Sequence, residues 1–350
     1  MTKIVKVKDK YIGGGYPVTI QSMTNTDTAD VVKTIEQIKS LKNAGCDIVR
    51  MTVNNCNSAM AVKKIVSSVD IPLVADIHFD YTLAIKSMEN GIHKIRFNPG
   101  NIGDDNKVKL ISDCAKAHGV PIRVGVNGGS IDKEILAKFG RGSDALVESA
   151  LKHVRLLEKV GFEDIVISVK SSSTKTTVDA YRTLSKMVDY PLHVGVTEAG
   201  LDDEGIYKSV VGIGSLLLDG IGDTIRVSLT GSPEKEVEVA RKLLRTVGLD
   251  RDYVEVVSCP TCGRCSIDLE SIVKQVKAKT ASINKPIKIA IMGCVVNGIG
   301  EAGDCDFGIA GGEGKSVLFK GGTAIKTIEN EDIVPELLRV LKEYTNGQNC

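Results

Sequence analysis

The sequence predicts an α/β chain: a (β/α)8 TIM-type barrel over residues 1–250, followed by a small α+β domain over residues 251–350. Three observations carry this expectation. Short β-branched runs alternate with longer stretches of helical period, the pattern of βαβ units on a parallel sheet. Eight such units fit within 250 residues, which a closed barrel accommodates more economically than a doubly wound sheet. After Asp250 the composition changes and the cysteines crowd together.

Eight strands are expected at Val18–Met23, Ile48–Val53, Leu73–Ile77, Lys94–Phe97, Ile122–Val126, Ile165–Val169, Leu192–Thr197 and Thr224–Ser228. The amphipathic segments after them are Ala29–Asn43, Ser58–Val69, Asp80–Asn90, Asn106–His118, Ser143–Val160, Thr176–Val188, Gly205–Leu218 and Pro233–Val247. Several close on a glycine turn signal, as in Asn43-Ala-Gly45 and Val160-Gly161. The boundary falls near Leu249 to Asp252. Beyond it come a helix from Ile267 to Lys279, short strands at Ile287–Met292, Phe307–Ala310 and Val317–Phe319, and a last helix from Ile333 to Tyr344.

Composition excludes several classes of function. With 45 basic and 44 acidic side chains the chain lacks the excess charge of a nucleic-acid binder, and aromatics at 4% with no Trp argue against stacking platforms. No apolar run approaches the roughly 20 residues that span a bilayer. Nine cysteines, an odd number, without a leader-like amino terminus argue against a disulfide framework and for the reducing cytoplasm. A small-molecule site is the expectation that remains.

Barrel sites lie at the carboxyl ends of the strands. Arg50, Arg96, Arg123, Lys170 and Arg226 interrupt apolar runs within or just after the second, fourth, fifth, sixth and eighth strands, where a charge is costly. Any one of them is most simply paired with a barrel carboxylate. Five in register, with Asp76 and Glu198 as the chief internal partners, imply an anion pocket suited to a diphosphate. The turns Asn98-Pro-Gly-Asn101 and Asn127-Gly-Gly-Ser130 can offer backbone N–H groups to phosphate oxygens. Asp76 and His78 share one side of their strand and, with Glu198, supply acid/base candidates. Gln21 to Thr26 reads as a polar, lid-like segment.

On the small domain, Cys259-Pro-Thr-Cys262-Gly-Arg-Cys265 resembles the start of a bacterial ferredoxin motif without its later Cys-Pro. Its ligand set must be completed from Cys294, Glu301 or Cys305. Zinc held by thiolates alone is the rival reading, although a carboxylate on a Gly-rich loop suits an open coordination position better. Cys46, Cys56 and Cys114 read as core or surface residues.

These segments together resemble the bacterial two-domain form of the 4-hydroxy-3-methylbut-2-enyl diphosphate synthase family. The marks run nearly end to end: Gln21-Ser-Met-Thr-Asn-Thr-Asp-Thr28, Ala75-Asp-Ile-His-Phe79, Ile95-Arg-Phe-Asn-Pro-Gly-Asn101, Arg123-Val-Gly-Val-Asn-Gly-Gly-Ser130, Val196-Thr-Glu-Ala-Gly200, Ile225-Arg-Val-Ser-Leu-Thr230, Cys259-Pro-Thr-Cys-Gly-Arg264 and Gly293-Cys-Val-Val-Asn-Gly298. The resemblance implies a 4Fe-4S cluster on Cys259, Cys262, Cys294 and Glu301, the carboxylate giving way when substrate arrives. It implies that 2-C-methyl-D-erythritol 2,4-cyclodiphosphate is opened and reduced with two electrons from ferredoxin or flavodoxin. Arg50, Arg96, Arg123, Lys170 and Arg226 would hold the diphosphate, with Asn127, Ser228 and, from the cluster domain, Asn297. It further implies a homodimer in which each cluster domain caps the partner's barrel. The family commonly has Pro where this chain has Ile299, and Cys265 and Cys305 are additional thiols.

Overall fold

A computed structural model describes residues 1–98, 105–296, 300 and 302–347. The chain divides into two units, Met1–Leu249 and Asp250–Cys350. In the first unit, a hairpin of β1 (Val5–Val7) and β2 (Lys10–Ile12) precedes eight parallel strands. These are β3 (Thr19–Met23), β4 (Ile48–Thr52), β5 (Leu73–Asp76), β6 (Lys94–Phe97), β7 (Ile122–Asn127), β8 (Ile165–Lys170), β9 (His193–Val194) and β10 (Thr224–Ile225). They run in the order β8-β7-β6-β5-β4-β3-β10-β9. A parallel bridge between Ile167 and Leu192 joins the two ends, closing the (β/α)8 barrel that the strand count predicts.

The helices are α1 (Val31–Asn43), α2 (Cys56–Ser68), α3 (Tyr81–Glu89), α4 (Asp105–His118), α5 (Lys133–Phe139), α6 (Ser143–Lys159), α7 (Thr174–Leu184), α8 (Asp202–Leu218) and α9 (Pro233–Thr246). Their starts follow local chemistry. Asn55 and Ser173 accept hydrogen bonds from Ser58 N and Thr176 N, and Pro233 opens α9 behind the Ser232 cap. Gly45 (φ 95°) and Gly161 (φ 70°) take the left-handed conformation that the turn signals required. Apolar helix faces pack on the outward strand residues, so the main core lies between sheet and helices, as with Ile38, Val49, Val62 and Ile95.

Three local features differ from the sequence expectation. The hairpin strands hold only three residues each, too few for a periodic signal, yet Val5, Val7 and Ile12 are fully buried against the inward Ile48, Val74 and Val166. They plug the amino end of the barrel. Strands β9 and β10 keep two residues each, and beyond them the two chains stay close: a Cβ on Gly195 would lie 2.5 Å from the Arg226 carbonyl oxygen. Gln21 to Met23 belong to β3 rather than to a lid, and Gln21 is buried inside.

The second unit is a five-stranded sheet in the order β11 (Val254–Ser258), β12 (Ile287–Met292), β13 (Phe307–Ala310), β14 (Lys315–Lys320) and β15 (Thr323–Glu329). The first three strands are parallel and the last two antiparallel. Helices α10 (Leu269–Thr280) and α11 (Ile333–Gly347) join the core of one face through Ile272, Val276, Leu337 and Leu341. A smaller cluster of Ala290, Met292, Ala302, Cys305, Ala310 and Phe319 includes the Cys259 side chain at its edge.

Candidate active site and thiol loops

Alternation along the barrel strands carries one row of side chains inward. At the carboxyl end these rows meet in a cavity of about 190 Å³ lined by Arg50, Arg96, Arg123, Lys170, Arg226, Asp76, His78, Asn127, Thr197 and Ser228, with Gly125 and Ser168. Five cations therefore converge as the strand register implied. Arg96 Nη1 donates to Asp76 Oδ1 at 3.1 Å, and Arg50 Nε stands 3.7 Å from Asp76 Oδ2. Arg226 pairs with Glu236 at 3.3 Å. Among the described residues, neither Arg123 nor Lys170 has a carboxylate within ion-pair distance, although both are buried. Arg123 Nη1 instead donates to Ser168 Oγ at 2.6 Å, while its Nε and Nη2 have no protein partner.

Electrostatics follow from this imbalance. Burial alone would raise the Asp76 pKa, but Arg50, Arg96, Arg123 and His78 outweigh it and hold the group down to about 2. Burial, then Arg123, Arg226, Arg50 and Arg96, push Lys170 well below its ordinary value. Burial, then Arg50 and Arg96, disfavour the charge of Arg123 in the same way. A guanidinium keeps its proton even so, and an anion in the cavity relieves the repulsion.

Two glycines make room for the long side chains. A Cβ at Gly125 would lie 2.7 Å from Arg96 Nε, and one at Gly195 would lie 2.7 Å from Lys170 Nζ. His78 Nε2 reaches to 3.4 Å from Arg96 Nη1. Glu198 is exposed and is not among the residues lining the cavity, although its neighbour Thr197 is. Its backbone is left-handed at φ 52°, a strained state for a non-glycine residue.

Sequence reasoning missed Glu236 and Ser168. Glu236 lies in the first turn of α9, outside any strand pattern, and also accepts from Ser22 Oγ at 2.9 Å and Leu229 N at 3.1 Å. It occupies the pairing role expected of Glu198. Ser168 was legible, since it breaks an apolar run two residues before Lys170. A larger cavity of about 550 Å³ near the amino ends of β9 and β10 includes Asp189 and Asp223 but no cation cluster.

In the second unit, Cys259 follows β11 and Cys294 follows β12, and the two strands are parallel neighbours with Ser258 opposite Ile291. Both thiols thus emerge at one sheet end. Gly293 N donates to Cys259 Sγ at 3.2 Å, tying the two loops together. Cys262 is exposed, and the backbone N–H of Arg264 leads the influences that lower its thiol pKa. Among the described residues no three His, Cys, Asp or Glu side chains are gathered closely enough to hold a metal ion. Asn297 and Glu301 lie outside the described residues. Cys265 packs against Gly293, where a Cβ would lie 2.6 Å from its Sγ, and Cys305 is buried.

Fold and site together define a barrel protein with a cationic pocket, joined to a unit that carries soft thiol donors. The chain belongs to the GcpE family: residues 2–241 match the GcpE TIM-barrel domain and residues 255–343 the GcpE protein C-terminal domain. It is 55% identical over 349 residues to 4-hydroxy-3-methylbut-2-en-1-yl diphosphate synthase (flavodoxin) of Caldanaerobacter subterraneus, covering 99% of this chain and 98% of that one. The like-named protein of Clostridium perfringens is 54% identical, covering 97% of this chain and 98% of its own. Among solved structures, a type I 3-dehydroquinate dehydratase from Clostridium difficile aligns with a TM-score of 0.52 at 16% identity, over 71% of this chain and 98% of that one. The Yersinia pestis dihydropteroate synthase aligns at 0.50 and 12% identity, over 70% and 99%. These two likenesses concern the barrel fold alone.

Proposed function

We infer that the chain reduces 2-C-methyl-D-erythritol 2,4-cyclodiphosphate to 4-hydroxy-3-methylbut-2-enyl diphosphate in isoprenoid biosynthesis, with flavodoxin as electron donor. The single observation that carries the substrate class is the surplus of buried cations in the barrel pocket: five converge there, and among the described residues only Asp76 and Glu236 pair with them. A dianionic ligand supplies the charge that the fold withholds. The curated relatives, alike over nearly the whole chain, carry that product and flavodoxin in their names.

The residues divide the work. Arg123 and Lys170 meet the diphosphate directly, since among the described residues no carboxylate competes for them. Arg50, Arg96 and Arg226 are aimed by Asp76 and Glu236, and Asn127 and Ser228 add hydrogen bonds at the rim. Asp76, held ionised, cannot give a proton near neutral pH and acts by positioning Arg50 and Arg96. His78 in the cavity and Glu198 at the rim are then the proton-handling candidates.

The donor set of the second unit fits a 4Fe-4S cluster on Cys259, Cys262, Cys294 and Glu301, with Asn297 reaching substrate. Thiols are the soft donors such a cluster takes, and a backbone N–H to Cys259 Sγ is the kind of bond that tunes its potential. When bound, the cluster passes electrons one at a time and acts as a Lewis acid on substrate oxygen. Such a thiol set is at home in a reducing cytoplasm, and no helix of the described residues is long and apolar enough to cross a membrane. We take the working form to be a homodimer in which each cluster unit serves the partner's barrel.

Anaerobically purified protein is expected to hold about four irons per chain and to turn over the cyclodiphosphate with reduced flavodoxin. Arg123→Ala should keep the iron and lose about a hundredfold or more in kcat/KM. Wild-type turnover in Arg123→Ala, or iron-free protein with full activity, overturns the reading.

A further inference from the structure

Beside the apolar plug around Ile48, Val74 and Val166, part of the barrel interior is polar, where bulky apolar layers are the rule. Lys94 faces inward from β6 two residues before Arg96, about 6.5 Å deeper along the strand, and is 0% exposed. Its Nζ has no hydrogen-bond partner, and among the described residues no carboxylate lies within ion-pair distance of it. Around the same stratum Gln21, His193 and Thr224 also bury side-chain nitrogen or oxygen atoms without protein partners. The strand register places Thr224 beside His193, each two residues before a pocket-facing position, Arg226 and Gly195. No step of the proposed chemistry uses this layer.

We propose that Lys94 is a reserve cation of the anion pocket, uncharged while the pocket is empty and taking up a proton from solvent when a diphosphate fills it. The inference rests on the diphosphate reading of the pocket. The charges that act on Lys94 are Arg123 on β7 and Arg50 on β4, and Lys94 acts in turn on His193 on β9; Asp76 on β5, Arg96 on its own strand, Lys170 on β8 and Arg226 on β10 line the pocket above it. Cations dominate, and Asp76, the carboxylate that lines the pocket among the described residues, is already engaged by Arg96 and Arg50. Burial first, then Arg123 and Arg50, depress the Lys94 amine well below its ordinary pKa. Burial first, then Lys170, Arg123, Lys94 and Arg50, likewise keep His193 neutral. A bound diphosphate neutralises the field of Arg123 and Arg50, which removes part of what opposes the proton on Lys94. Burial, the larger influence, is unchanged by the ligand, so the proton is taken up only through relief of the repulsion from Arg123 and Arg50.

The test is calorimetric titration of the oxidised, anaerobic holoenzyme with the cyclodiphosphate at pH 8 in buffers of different ionisation enthalpy. Each phosphorus of this ligand carries one strongly acidic proton, so the ligand itself stays fully ionised and contributes no proton exchange. Wild type should take up protons, and Lys94→Met should take up one fewer, with Lys94→Gln as a second variant. Wild-type affinity should also fall more steeply than that of Lys94→Met between pH 7 and 9. Lys170 touches the ligand and adds its own proton equally in both proteins. Binding without any buffer dependence in wild type, or equal uptake in wild type and both variants, overturns the role of Lys94 and leaves the diphosphate reading intact. Failure of wild type to bind the cyclodiphosphate overturns both.

Discussion

Asp76 shows how one residue sets the state of a site. It is buried yet held at about 2 by the arginines around it. Because this lies below the ordinary carboxyl value, its contribution to stability is present above about pH 4 and is lost as pH falls toward 2. Asp76→Asn should therefore be less stable than wild type at neutral pH by on the order of 2 kcal/mol. The gap should shrink toward pH 2, as read by denaturant unfolding; a gap independent of pH would rule out the charge explanation. Glu198 poses a different question. Its left-handed backbone costs about 1 kcal/mol and its side chain is exposed, so stability does not account for it. Glu198→Gln is expected to bind the cyclodiphosphate as wild type does while kcat drops at least tenfold. An unchanged kcat would leave His78 as the sole proton-handling candidate among the residues named here.

Elements place these residues more firmly than their own chemistry does. The cation row was legible because strand alternation is strict: Arg123, Gly125 and Asn127 on β7, and Ser168 and Lys170 on β8, share a side by arithmetic alone. The hairpin plug was not legible because it packs on strand residues far away in sequence, Ile48, Val74 and Val166, and the pairing of Arg226 by Glu236 was not legible because Glu236 sits on a helix, outside the strand alternation. In the second unit the adjacent parallel strands β11 and β12 bring Cys259 and Cys294 to one sheet end. Gly293 is the joint between them, crowded by Cys265 and donating to Cys259 Sγ. Gly293→Ala should consequently lower the iron content of anaerobically purified protein to well under half of wild type. The thermal midpoint of the barrel unit should not change. Full iron loading in this variant would show that the close approach is incidental.

At the scale of the whole molecule, the two units divide the labour between an anion pocket and a thiol-bearing sheet. The homodimer reading makes a sharp prediction. Arg123→Ala and Cys294→Ala should each be inactive alone, the second also losing the cluster. Mixed and allowed to exchange subunits, they should regain activity, because one of the two barrels in a heterodimer is intact and faces an intact cluster unit. The regained activity should approach a quarter of wild type, since half the dimers are mixed and each has one working site. No recovery after verified exchange would assign each cluster unit to its own barrel.

The sequence by itself determined the barrel, the division into two units, the five pocket cations and the thiol-bearing loops. These depend on periodicity and spacing, which are local properties of the chain. Only the tertiary structure decided which cations are already paired. Asp76 serves two arginines, Glu236 takes the place expected of Glu198, and Arg123, Lys170 and the deeper Lys94 have no carboxylate within ion-pair distance among the described residues. The physical reason is that net charge at a site is a sum over neighbours brought together by strand closure, and closure joins residues that no sequence window contains.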